Sequence, residues 1–67
     1  MGRTCKTIKV VRLPYFGILG WIRQNVKTGG YFFANRQNYI ICGGSYDWVV
    51  KCLQKDFPQA ILEDPQG

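Results

Sequence analysis

YFGILGWIRQNVK, residues 15–27, decides between two architectures. Placed at 100° per residue, Tyr15, Ile18, Leu19, Ile22 and Val26 fall on one arc, with Trp21 on its edge. Gly17, Gly20, Arg23, Gln24 and Lys27 fall opposite. Placed on a strand, Leu19-Trp21-Arg23 and Ile18-Gly20-Ile22 are both of mixed character, so two-residue alternation fails. Lys27 followed by Gly29-Gly30 has the form of a helix stop. Each interior glycine costs a helix about 1 kcal/mol relative to alanine. The period nevertheless predicts a helix over 15–27.

The flanking segments carry clearer signals. Thr7 to Leu13 (TIKVVRL) is rich in β-branched residues and stops at Pro14, which predicts a strand. Tyr31–Ala34 and Tyr39–Cys42 are short aromatic and β-branched runs joined by Asn35-Arg36-Gln37-Asn38, a hairpin with a polar tip. Gly43-Gly44-Ser45 opens a second helix, with Ser45 as its cap and Asp47 at the positive end of its dipole. Tyr46, Val49, Val50, Cys52, Leu53 and Phe57 share one arc of it, and Asp47, Lys51, Gln54 and Lys55 share the other. Pro58 ends this helix, and Ala60-Ile61-Leu62 predicts a last short strand.

The resulting βαββαβ order is the split βαβ, or ferredoxin-like, arrangement: an α+β fold with a small antiparallel sheet and two helices on one face. If residues 15–27 are extended instead, the chain becomes a β-meander with one helix. Sixty-seven residues make one domain, with 1–6 and 63–67 expected as loose termini.

Charge is distributed unevenly along the chain. The first 46 residues hold seven basic side chains and no carboxylate, whereas the remainder holds two basic and four acidic ones. The halves therefore carry +7 and −2, for a net charge of +5. With no histidine in the chain, Ser45 or a cysteine has no recognisable base to activate it. Asp47, Asp56, Glu63 and Asp64 read as solvated charges. Gly43-Gly44-Ser45 lacks the lysine and the length of a phosphate-binding loop, and Asp47 would repel an anion there. A tight turn with a cap explains it better. No enzyme and no cofactor are expected.

Cys5, Cys42 and Cys52 match no zinc spacing, and an odd set argues against a secreted disulfide scaffold. Cys42 and Cys52 are expected in the core. A reducing, cytoplasmic setting follows as the expectation. The longest uncharged apolar stretch, Leu13 to Ile22, falls short of the ~20 residues that cross a bilayer, and no signal peptide is expected.

Two helices on one face would leave the other bare. Pairing Ala34 with Tyr39 puts Tyr31, Phe33, Ile40 and Cys42 on one side and Phe32, Ala34, Tyr39 and Ile41 on the other. Either side presents two rings, although a loop of odd length would regroup them. Rings among uncompensated cations suit unpaired bases, which stack on aromatic platforms for roughly 1–3 kcal/mol each while Lys and Arg neutralise phosphates.

The expected nucleic-acid-binding residues are Lys9, Arg12, Arg23, Lys27, Tyr31, Phe33 and Arg36, with Trp21 and Trp48 as secondary rings. The expected partner is RNA or single-stranded DNA. The alternative is a protein-interaction module (a homodimer, adaptor or small inhibitor) using the same sheet or basic face. The inferred element order is shared with the RNA recognition motif. Lys27-Thr28-Gly29-Gly30-Tyr31-Phe32-Phe33 does not meet that motif's spacing, however, and no family is assigned.

Overall fold

Residues 15–27 do not form a helix. In the computed structural model, which describes residues 5–65, β1 (Cys5–Leu13) turns through residues 14–16 into β2 (Gly17–Asn25). Gly17 sits at φ 81°, a left-handed conformation that glycine adopts without a Cβ clash. β3 (Tyr31–Asn35) and β4 (Ile40–Gly44) complete a meander, α1 (Tyr46–Asp56) crosses back, and β5 (Ile61–Glu63) pairs with the outer edge of β1. The sheet order is β4-β3-β2-β1-β5, and every pairing is antiparallel. The fold is thus a five-stranded antiparallel sheet with one helix. It replaces the two-helix split βαβ expectation and matches the meander alternative. Cys5 and Lys6 belong to β1 and Glu63 to β5, so regular structure starts earlier and ends later than expected.

Three bulges shape the sheet. Ile8 in β1, Leu19 in β2 and Ile41 in β4 each stand as an extra residue without a cross-strand partner. A bulge turns two consecutive residues toward one side and bends the strand. All three extra residues are aliphatic and go to the helix side. Ile8 and Leu19 pack on the core, while Ile41 lines a cavity with Phe33 and Leu53. The third bulge also changes the β3–β4 register. Ala34 pairs with Ile40 rather than Tyr39, across a loop of odd length.

The core lies between the sheet and α1. Val11, Ile22 and Phe33 from three adjacent strands meet Val49 and Leu53 of the helix, each 3 % exposed or less. α1 begins as expected, with the Ser45 hydroxyl accepting from the Trp48 amide at 3.2 Å. Its end is closed by the Phe57 amide donating to the Leu53 carbonyl at 2.8 Å, just before Pro58. Among the described residues no helix is long and apolar enough to cross a membrane.

Candidate nucleic-acid interface

With one helix on one side, the opposite side of the sheet carries the residues that alternate with the core. Ile22 and Phe33 are core, so their neighbours Trp21, Arg23, Phe32 and Ala34 face away from α1. Two cross-strand rows result. One runs Glu63–Val10–Trp21–Ala34–Ile40, and the other Thr7–Arg23–Phe32–Gly43. Gly43 has no side chain to stand beside Phe32, so that ring is open toward the β4 edge.

Arg23 organises the centre of this face. Its guanidinium carbon lies 5.3 Å from the centroid of the Trp21 ring, and its Nη1 donates to Asn38 Oδ1 at 2.9 Å. The guanidinium is thus stacked on an aromatic face in a cation–π contact. Its Nε is buried and has no hydrogen-bond partner. Ala34, opposite Trp21, is 1 % exposed although no helix covers it. Trp21 is its direct cross-strand neighbour on that face.

The two turns flanking β3 hold the remaining cations. Asn35 Oδ1 accepts from the Gln37 and Tyr39 amides at 3.0 and 2.9 Å, which fixes the tip that carries Arg36 and Asn38. At the other end, Asn25 Oδ1 accepts from the Lys27 and Thr28 amides at 2.9 and 3.2 Å. Both are side-chain-to-backbone turn motifs. Lys27 and Arg36 are exposed and sit beyond opposite ends of β3, whose five residues span roughly 17 Å.

The seven residues expected at the site separate into three groups. Arg23 lies on the open face, while Lys27 and Arg36 lie in the turns beyond the two ends of β3, Arg36 beside Leu19. Lys9 and Arg12, on β1, are ion-paired with Asp64 and Glu63, the latter through Arg12 Nε to Oε1 at 2.7 Å. Lys9 is held above the usual lysine range by its hydrogen bond to Asp64, which in turn lies below the usual carboxylate range through Lys9.

Tyr31 and Phe33 do not form the platform. Phe33 is a core residue, 2 % exposed, and Tyr31 packs edge-on against Tyr46 of the helix at 5.5 Å and 72°. The helix occupies the side these two rings face. The rings on the open face are Trp21 and Phe32, placed by the β2–β3 register, and Asn38 is a further member that side-chain chemistry alone did not suggest. Trp21 two residues before Arg23, at strand spacing, was the available signal. Trp48 is half exposed on α1, away from this face.

Comparison with known proteins finds no matching family model, no matching curated protein and no matching solved structure.

Proposed function

We propose that this chain is a small, non-enzymatic binding module that takes single-stranded nucleic acid, RNA or DNA, on the helix-free face of its sheet. The observation that carries the reading is the Trp21–Arg23–Phe32 cluster, two half-buried rings around a stacked guanidinium, within a segment that contains no carboxylate. Bases would stack on Trp21 and Phe32, while Arg23, Lys27 and Arg36 meet phosphates. The ion pairs between β1 and β5 occupy Lys9 and Arg12, which leaves Arg23, Lys27 and Arg36 as the cations nearest the two rings. Such a module fits a cytoplasmic setting.

The test uses the protein's own fluorescence. In a Trp48→Phe variant, Trp21 is the single tryptophan, and stacking of an oligonucleotide base quenches it. Titration with short RNA and DNA strands should quench Trp21 at low salt and release it as salt rises. Unchanged Trp21 emission alongside unchanged fluorescence anisotropy of a labelled strand would overturn the reading.

A second reading has its own observation. Ile40 ends one row and Ile18 and Ile61 flank Arg12 beside it; at 65 %, 38 % and 46 % exposed they would suit a protein partner on the same face. Light scattering that returns a dimer, with no oligonucleotide binding, would favour it.

A further inference from the structure

Cys42 stands at the middle of edge strand β4, opposite Phe33, on the side that α1 covers. Cys52 projects from α1 beside the core residue Leu53. Both thiols line one cavity of about 240 Å³ together with Phe33, Ile41, Leu53 and Phe57. Both are half-buried, so a small solute reaches them. Burial first, and then the Cys52 thiol, to which it is hydrogen-bonded, raise the Cys42 thiol above its ordinary range. At neutral pH Cys42 is therefore neutral, and no charge repulsion keeps the two sulfurs apart.

Cys5 is too far across the sheet to bridge to Cys42. It lies on β1, and three strand spacings of about 4.8 Å separate β1 from β4 in the sheet, roughly 14 Å. Cysteine pairs that bridge have Cα atoms within about 7 Å. β4 and α1 bring Cys42 and Cys52 to one cavity, across a connection in which Ser45 is the sole intervening residue.

We propose that Cys42 and Cys52 are an oxidisable pair that closes a disulfide between the edge strand and the helix, using a low-molecular-weight disulfide as oxidant. One thiolate attacks the oxidant RSSR, forming a mixed disulfide and expelling RS⁻. The second thiolate then attacks the protein sulfur of that mixed disulfide and expels the other RS⁻. The protein loses two hydrogens and the oxidant is reduced to two RSH. The new bond closes a short loop and staples α1 to the strand it covers, which restrains unfolding of the helix from the sheet. This inference is independent of the nucleic-acid reading.

The test needs only the full-length chain in a glutathione/glutathione-disulfide series, quenched with an alkylating agent and mapped by mass spectrometry. The expected product is a monomer with a Cys42–Cys52 cross-linked peptide, Cys5 as the alkylated thiol, and a raised unfolding midpoint. Its formation should accelerate as pH rises, because Cys42 must lose its proton before it can react. Cys42→Ser and Cys52→Ser variants should each stop at a glutathione mixed disulfide. Three alkylated thiols in the most oxidising buffer, or a cross-link that uses Cys5 or joins two chains, would overturn the proposal. The wild-type mapping stands even if a serine variant fails to fold.

Discussion

Phe32 and Phe33 are neighbours in sequence and opposites in role, because a strand turns successive side chains to opposite faces. Phe33 fills the space between Ile22, Val49 and Leu53 and is 2 % exposed. Truncating it leaves a cavity that such a small core cannot refill. Phe33→Ala is expected to cost about 3–5 kcal/mol of stability, read from urea unfolding. Phe32 lies on the open face beside Gly43, outside the core cluster. Phe32→Ala should leave the urea midpoint close to wild type while weakening oligonucleotide binding by about 1–3 kcal/mol, the range for one lost stacking platform. Equal losses of stability in the two variants would contradict the assignment of faces. Arg23 makes a related but distinct case. Arg23→Lys keeps the charge but loses the planar group stacked on Trp21, so affinity should fall despite an unchanged net charge.

At the scale of elements, β2 was the segment whose identity the sequence concealed, and its neighbours explain why. Three irregularities hide its alternation. Leu19 is a bulge, so Leu19 and Gly20 fall on the same side. Gly20 occupies a position on the core side where an apolar residue would ordinarily stand. A Cβ there would meet the Ala34 carbonyl oxygen at 2.2 Å and Phe33 Cε1 at 2.9 Å. Arg23 places a charge in the open-face row, where it stacks on Trp21 instead of breaking the surface. Each of these depends on β3, which no periodicity within residues 15–27 can report. α1 was legible, by contrast, because its signals are local: the Ser45 cap, the apolar arc and Pro58. The aromatic platform was only half legible, since choosing between Phe32 and Phe33 requires knowing which side the helix takes. Gly20→Ala tests this account. Backbone atoms cannot yield cheaply, so the substitution should destabilise the fold by about 1–3 kcal/mol, although alanine is favoured over glycine by simple propensity. Ser45→Ala should cost about 1 kcal/mol through the lost cap.

Across the whole molecule, the sheet order converts a lopsided sequence into a lopsided surface. The acids at Glu63 and Asp64 return beside β1 and meet Arg12 and Lys9, whereas β2, β3 and β4 have no carboxylate of their own. The Lys9–Asp64 pair persists across the neutral range. Asp64 titrates below its ordinary value of 3.8, so its contribution is present above that value and lost as pH falls through the lower folded pKa. Lys9 titrates above 10.5, so its contribution is present below that value and lost as pH rises through the higher folded pKa. Between these limits Lys9 stays paired, and the cations that the proposed site offers a ligand are Arg23, Lys27 and Arg36. Three phosphate contacts to a single strand release about 0.7 counterion each, so log affinity should fall against log salt with a slope near −2. Replacing Lys27 or Arg36 by alanine should make that slope shallower by about 0.7, and Lys9→Ala should leave it unchanged. A slope that responded to Lys9 and ignored Lys27 and Arg36 would move the binding surface to the β1–β5 side. The helix-free face would then no longer account for the protein's charge asymmetry.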